Sequence, residues 1–178
     1  MVVISPFSEG SSSSSSPPDY KYDVFLSFRG LDTRLNFTDH LYKALINSNF
    51  TTFLDDADIE TGEDLKPELE NAIKGSRASI IVLSKNYASS TWCLDELVLI
   101  LEQHKTSNHV VIPIFYHVEP TDVRKQESSF GDVMAKHKQR MEAKENVEGK
   151  SQLARKMEIW KKALIEVANL KGKASQGR

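Results

Sequence analysis

Cysteine is almost absent from this chain, since Cys93 is the only one among 178 residues. A single cysteine excludes an internal disulfide framework and favours a reducing compartment. No apolar run approaches the roughly 20 residues that a membrane-spanning helix needs, and residues 1–4 lack the basic region and longer apolar core of a signal peptide. These absences predict an intracellular soluble protein without a membrane partner.

Motifs that hold cofactors, metals or nucleic acid are missing as well. Gly30 is the only glycine in the loop after the first predicted strand, so there is no G-x-G-x-x-G fingerprint, and no Walker A lysine loop occurs. The five histidines lack metal-ligand spacing, and the basic C-terminal segments lack interleaved aromatic residues on one exposed face. We therefore expect no prosthetic group, no metal and no nucleic-acid partner, with Cys93 serving as a core or rim thiol.

Composition divides the chain into a tail and one domain. Residues 1–19 include six consecutive serines, Ser11 to Ser16, followed by two prolines. Such a segment cannot bury enough apolar area to offset chain entropy, and it predicts a disordered leader. The remainder, in a chain that is 39% hydrophobic, suits one globular domain over residues 20–171 with a flexible tail at 172–178.

Charge is distributed unevenly. Residues 1–123 carry 9 Lys and Arg against 18 Asp and Glu, whereas residues 124–178 carry 14 against 7. An acidic body with a basic C-terminal end suits head-to-tail self-association or docking on an anionic partner. Solvated helices of mixed sign would give the same counts, so this pattern leaves both interpretations open.

Four apolar segments are predicted to be strands: residues 22–28, 50–54, 78–83 and 110–116. Amphipathic helices alternate with them, and the first of these carries Phe37, Leu41, Ala44 and Leu45. This alternation predicts right-handed crossovers and a parallel sheet with helices on both sides. The fourth strand is almost wholly apolar, which predicts burial, and Pro113 within it indicates a broken ladder or a position near an edge.

A helix beginning near Trp92, with Ser90 or Thr91 as N-cap, follows the third strand. Leu94, Leu97, Val98 and Leu101 share its core-facing side, whereas Trp92 and Glu96 point the opposite way beside apolar neighbours. Asp95 and Glu96 could simply complement the positive end of the helix dipole. Alternatively, Glu96 is a partly desolvated carboxylate that faces a bound cationic group, with Trp92 as a stacking surface.

Ligands of parallel α/β sheets bind at the carboxyl ends of the strands. That rule places three segments on one rim: the loop from Arg29 to Arg34, the loop that starts at Asp55, and residues 84–96. Glu96 therefore acquires basic and acidic neighbours at the predicted site.

Five segments together resemble a plant Toll/interleukin-1 receptor (TIR) domain. They are residues 22–30 with Asp32, Thr33 and Arg34; residues 36–38; Asp55 and Asp56 with Gly62 and Glu63; Ser90 with residues 92–97; and residues 113–116. They occur in unbroken order over roughly residues 20–171. TIR domains of this kind lie at the N-terminus of intracellular nucleotide-binding leucine-rich-repeat immune receptors.

The resemblance implies a flavodoxin-like, three-layer α/β/α fold with a five-stranded parallel sheet. It also implies an NAD(P)+ nucleosidase that becomes active on self-association and signals plant immunity and cell death, with NAD+ or NADP+ as substrate. Cyclisation and base exchange are expected as further outcomes. Implied partners are further copies and other TIR domains, in the cytoplasm and, secondarily, the nucleus.

The family's functional residues carry over by position. The catalytic glutamate falls on Glu96 and the aromatic residue of the same motif on Trp92. The other implied substrate-binding residues are Arg29, Gly30, Asp32, Arg34, Phe37 and Gly62, the last in a mobile loop from Asp55 to Asp64. The implied self-association residues are Asp39 and His40 on the first helix and Lys161 and Lys162 on the last.

Two departures from the family pattern are visible. Leu31 stands where an acidic or small residue is usual, and residues 170–173 replace a common Gly-Trp continuation, which suggests a domain-only or shortened protein. A non-enzymatic scaffold that recruits TIR domains through its charged faces is the alternative function. Glu96 with Trp92 in an intact motif favours the enzyme, because a pure adaptor has no need of a carboxylate there.

Overall fold

The computed structural model describes residues 19–54, 66–170 and 173–175. Its strands pair in parallel in the order β2-β1-β3-β4-β5. They are β1 Tyr22–Ser27, β2 Thr52–Leu54, β3 Ser76–Leu83, β4 Val110–Tyr116 and β5 Lys173–Ser175. This order is that of flavodoxin-like folds, so the predicted α/β class is confirmed.

Seven α-helices fill the described connections. They are α1 Gly30–Thr33, α2 Asp39–Asn47, α3 Pro67–Lys74, α4 Thr91–Ser107, α5 Pro120–Lys125, α6 Ser128–Glu142 and α7 Val147–Asn169. A π-helical turn, Arg34–Thr38, joins α1 to α2, and a 3-10 turn, Tyr87–Ser89, precedes α4. None of the helices in the described ranges combines the length and apolar character required to cross a bilayer.

The sheet separates two apolar clusters. Ile81 and Leu83 of β3 point into the larger cluster, which α3, α4, α6 and α7 complete. Ile80 and Val82 point the other way, into a smaller cluster that the π-helical turn and α2 cover. Because successive strand residues face opposite sides, the two clusters lie on opposite faces of the sheet, as the helix-on-both-sides prediction required.

Strand β4 is more exposed than the sequence predicted, because part of it lies at an edge of the sheet. Val110 and Ile112 of β4 are 50% and 39% exposed, so the prediction of a wholly buried fourth strand is wrong. Within the part of the chain that the structure covers, β5 pairs only with residues 114–116, so the first half of β4 lies at an edge of the sheet, as Pro113 indicated. Within the segment 172–178, the backbones of residues 173–175 extend the sheet along β4.

The first helical segment is also less regular than predicted. It is divided into α1, the π-helical turn and α2, and Ala44 is exposed rather than part of the core-facing side. Leu41 and Leu45 do pack against the smaller cluster. One turn of wider helix therefore changes which residues of the following helix face the sheet.

Helix α4 lies in the larger cluster and is buried along most of its length. Ser90 is its N-cap, since its Oγ accepts a hydrogen bond from the Cys93 N–H at 3.2 Å. Leu94, Leu97 and Ile100 are fully buried, and each such side chain stabilises the fold by about 1.5–3 kcal/mol. Asn108 ends the helix in the left-handed conformation with φ 53°, a common way of closing a helix.

Asp95 fastens α4 to α7. Its Oδ1 accepts a hydrogen bond from the indole Nε1 of buried Trp160 at 2.9 Å, and its Oδ2 lies 3.4 Å from Lys156 Nζ. Asp95 thus serves helix packing, and it is not part of the rim. The two neighbouring carboxylates of α4, Asp95 and Glu96, have separate surroundings.

We predict that Asp95→Ala lowers the free energy of unfolding by about 1–3 kcal/mol, because the buried Trp160 N–H loses its acceptor. Urea unfolding followed by tryptophan fluorescence measures the loss. Asp95→Asn keeps an acceptor oxygen and should lose less than half as much. Equal losses in the two variants would contradict an assignment to this hydrogen bond.

Candidate functional site at the carboxyl edge of the sheet

Glu96 lies at the carboxyl end of β1. Its side chain is 3% exposed, and its Oε2 accepts a hydrogen bond from Ser27 Oγ at 2.7 Å. Ser27 is the last residue of β1, two positions before Arg29. The carboxylate is therefore held next to the loop predicted to share its rim.

Tyr87 of the 3-10 turn is a third member of this cluster. Its phenol oxygen lies 2.8 Å from Ser27 Oγ and donates to the Cys93 carbonyl at 3.0 Å. Complete burial raises the pKa of the Tyr87 phenol well above its usual range, and the nearby Cys93 and Glu96 raise it further. The phenol therefore keeps its proton throughout the physiological pH range.

Trp92 precedes Glu96 by one helical turn and is also 3% exposed. Lys66 Nζ lies 5.7 Å from the centroid of the indole ring, within the range of a cation–π contact. Among the described residues, the buried indole Nε1 has no hydrogen-bond partner. The ring is enclosed, so a ligand would stack on it only after Lys66 or another neighbour moves.

Asp32 organises the loop that follows β3. Its Oδ2 accepts hydrogen bonds from Ser84 Oγ at 2.6 Å and the Asn86 N–H at 3.0 Å, and its Oδ1 accepts from Asn86 Nδ2 at 3.2 Å. The residue was predicted to bind substrate. In this structure its carboxylate joins the first loop to the segment that leads into Tyr87 and α4.

The π-helical turn positions Arg34 and Phe37. Thr33 and Thr38, five residues apart, face each other through a buried 2.7 Å hydrogen bond between their hydroxyls. The Arg34 guanidinium lies 5.8 Å from the centroid of the Phe28 ring, and Phe37 packs against Tyr116 with centroids 5.2 Å apart. Wide turns of this kind recur at functional sites, because they redirect side chains without ending the helix.

Arg29 and Gly30 stand at the start of α1, shortly after β1. Arg29 is the N-cap residue of α1, and its carbonyl accepts a hydrogen bond from the Asp32 N–H at 3.1 Å. Gly30 begins α1, and both residues are half-buried. Seven of the predicted site residues thus lie in the segments at or after the carboxyl ends of strands: Glu96, Trp92, Arg29, Gly30, Asp32, Arg34 and Phe37.

The remaining predicted residues have different outcomes. Gly62 and the loop from Asp55 to Asp64 lie outside the described residues. Asp39 and His40 start α2 on the smaller cluster's side, whereas Lys161 and Lys162 lie on α7 on the other side of the sheet. These two pairs therefore do not form one surface within a single copy, because the sheet separates the helices that carry them.

The buried histidines have structural surroundings. His109 Nε2 lies 2.7 Å from Ser79 Oγ, and His137 Nε2 lies 2.8 Å from the Ala88 carbonyl oxygen. Burial lowers the pKa of both imidazoles. No cluster of three or more metal-ligating side chains occurs in the parts of the chain that the structure covers.

Comparison with known proteins identifies the family. The TIR domain profile matches residues 21–177, which is most of the chain. The chain belongs to the TIR domain family. Among solved structures, the TIR domains of the activated Roq1 resistosome, which directly recognises the pathogen effector XopQ, share 44% identity with it. They match with a TM-score of 0.72 over 86% of this chain and 87% of that one.

Curated relatives of this TIR domain are plant resistance proteins. Disease resistance protein RPV1 of Vitis rotundifolia is 51% identical over 97% of this chain and 12% of its own length. TMV resistance protein N of Nicotiana glutinosa is 47% identical over 90% of this chain and 13% of its own length. The chain therefore spans about an eighth of the length of these relatives.

Ser27, Tyr87, Ser84 and Asn86 are site residues of this TIR domain that sequence reasoning missed. Ser27 gave one usable signal: it is a polar residue at the end of an apolar strand, on the same side as Phe25, which faces the larger cluster. The other three lie in a polar turn whose composition indicates only a loop. Their partners are more than 50 residues away in sequence.

We predict that Asp32→Ala lowers the free energy of unfolding by about 1–3 kcal/mol, because three hydrogen bonds to one carboxylate are lost. Amide hydrogen exchange at Asn86 should accelerate. Asp39→Ala is the matched control, since its 2.8 Å pair with Lys43 is exposed and contributes less than about 0.5 kcal/mol. Unchanged protection at Asn86 in Asp32→Ala would contradict the assigned role.

Proposed function

We propose that this TIR domain is an NAD(P)+ nucleosidase that cleaves the bond between nicotinamide and ribose when copies self-associate. The observation that carries the proposal is the buried carboxylate of Glu96, oriented by Ser27 at the carboxyl edge of the sheet. Trp92 and the first loop with Arg29 and Arg34 belong to the same rim. This edge is where parallel α/β sheets bind their ligands.

The chemistry of the bond explains why one carboxylate is sufficient. As nicotinamide departs as a neutral base, the positive charge passes from its ring to the ribose, which becomes oxocarbenium-like. An anion fixed beside the ribose stabilises that transition state more than the ground state. Glu96 would supply this charge and orient a ribose hydroxyl.

The remaining rim residues would hold the dinucleotide. Arg29 and Arg34 would meet the oxygens of the diphosphate, since guanidinium groups bind such oxygens in pairs of parallel hydrogen bonds. Trp92 would stack on a flat ring once Lys66 moves from its face. Phe37 and Gly30 would shape the first-loop wall, and Asp32 would keep that wall attached to the turn around Ser84.

The burial of Glu96 and Trp92 supports the proposal that self-association controls the activity. Glu96 and Trp92 are each 3% exposed, so a dinucleotide cannot reach them without a local rearrangement. Contacts between copies would stabilise the rearranged state, and a ligand or partner shifts such an equilibrium only through its differential affinity for the two states. With Glu96 as the only carboxylate assigned to the reaction, we expect modest rates, with cyclisation or base exchange beside hydrolysis.

The names of the relatives support a role in plant defence. RPV1 and the N protein are resistance proteins, and we propose that this domain signals the immune response and cell death. Its buried thiol, Cys93, suits the reducing cytoplasm, with the nucleus as a second compartment.

A non-enzymatic scaffold is the second candidate function, and charge placement favours it. Acidic Asp39 and basic Lys161 lie on opposite faces of the sheet, which suits head-to-tail contacts between copies. Their own-copy pairs with Lys43 and Glu158 are exposed and are therefore weak. A head-to-tail contact propagates from copy to copy and can recruit other TIR domains.

We predict that Glu96→Gln reduces nicotinamide release from NAD+ by about 10²–10³-fold, the usual effect of removing one preorganised electrostatic group. The amide keeps the shape and an acceptor for Ser27, so folding and self-association should not change. HPLC of NAD+ incubated with concentrated protein measures the release. Glu102→Gln, exposed on the same helix, is the control, and turnover within tenfold of wild type in Glu96→Gln would exclude the catalytic assignment.

We predict that the double charge reversal Lys161→Glu and Lys162→Glu weakens self-association at low salt, where exposed charges act over the longest range. Light scattering across a concentration series measures the effect. Lys150→Glu, exposed near the start of the same helix, should associate as wild type does. Unchanged association of the double variant would count against a contact through this part of α7.

A further inference from the structure

The cluster around Glu96 contains more short contacts than hydroxyl hydrogens. Ser27 Oγ lies 2.7 Å from Glu96 Oε2 and 2.8 Å from the Tyr87 phenol oxygen, which lies 3.0 Å from the Cys93 carbonyl oxygen. Ser27 and Tyr87 are fully buried. Each contact joins two oxygens, so each needs one hydrogen between them.

Serine and tyrosine supply one hydroxyl hydrogen each, whereas a carbonyl and an ionised carboxylate only accept. With Glu96 ionised, two hydrogens must serve three contacts, and one pair of oxygens faces each other through lone pairs alone. With a proton on Glu96, all three contacts are filled. Glu96 then donates to Ser27, Ser27 donates to Tyr87, and Tyr87 donates to the Cys93 carbonyl.

We propose that Ser27 and Tyr87 are positioning residues that together decide how readily Glu96 holds a proton. The Ser27 hydrogen stabilises the ionised carboxylate, and the Tyr87 oxygen competes for that same hydrogen. Tyr87 therefore acts on Glu96 only through Ser27. Among the described residues, the titratable groups whose charges act on the Tyr87 phenol are the Cys93 thiol and Glu96.

The competition between Glu96 and Tyr87 for the Ser27 hydrogen would affect the proposed nucleosidase reaction. This catalytic role rests on the proposed function. A carboxylate that is fully hydrogen-bonded has less charge available for a developing ribose cation. When the Ser27 hydrogen turns towards Tyr87, Glu96 loses that hydrogen bond, so more of its negative charge is available to the sugar and it can accept a proton from a ribose hydroxyl. The orientation of one serine hydroxyl thus adjusts the acidity of the proposed catalytic group.

The test is a pH titration of the Glu96 side-chain carboxyl carbon by NMR on the ¹³C-labelled 178-residue chain, with the signal assigned by its loss in Glu96→Gln. Tyr87→Phe should lower the Glu96 pKa, because the Ser27 hydrogen is no longer contested. Ser27→Ala should raise it, because the carboxylate loses a donor. The double variant should match Ser27→Ala, since Tyr87 acts through Ser27.

A merely structural role would not produce shifts of opposite sign. Tyr22→Phe, a half-buried tyrosine that packs on Phe53, is the control and should leave the Glu96 titration unchanged. Shifts in the same direction, no shift, or a double variant that differs from Ser27→Ala would overturn the proposal. Urea unfolding identifies any variant that fails to fold, and Ser27→Gly is then the second donor-free variant.

Nicotinamide release separates this inference from the proposed function. If wild type turns over NAD+, the maximal rate of Tyr87→Phe should change with pH in step with its shifted Glu96 titration, while KM stays within about twofold. If wild type shows no turnover, the nucleosidase proposal fails. The directions of the Glu96 pKa shifts in Tyr87→Phe and Ser27→Ala then still test whether Glu96 and Tyr87 compete for the Ser27 hydrogen.

Discussion

A carboxylate kept out of water at the edge of a parallel sheet is the constraint on which this rim depends. Removing a charged group from water costs several kcal/mol unless polar partners replace its hydration. Ser27 provides such a partner from β1, and it can do so only while α4 keeps its position against the sheet. Asp95 secures that position through Trp160 of α7. Two adjacent residues of α4 therefore have different roles: Asp95 fixes the helix against α7, and Glu96 faces the rim.

The rim is also built from contacts between distant segments. Asp32 of the first loop fixes Ser84 and Asn86 after β3, and Ser27 of the first strand meets both Tyr87 and Glu96. Tyr87 belongs to the 3-10 turn that precedes α4. A disturbance in that turn would reach Glu96 through the Tyr87–Ser27 and Ser27–Glu96 contacts, without any change in the sheet itself.

Local patterns were enough to predict the α/β class and the main features of α4. The Ser90 cap and the apolar spacing of Leu94 and Leu97 are encoded within a few residues, so sequence reasoning finds them. The Ser27–Glu96 bond joins residues 69 positions apart, and no local pattern encodes it. The π-helical turn and the Thr33–Thr38 contact beside it are not anticipated by the ordinary helical period. The sheet also separates Lys161 from Asp39, which charge counting along the chain could not show.

The short pairing of β5 has a consequence for behaviour at high concentration. Backbone groups on the first half of β4 have no strand beside them on the outer side within the described residues, and such rows invite strand addition from other chains. Pro113 removes one donor from that row and makes templated fibril growth less favourable. Pro113 therefore disfavours precipitation through strand addition at this edge when the protein is concentrated.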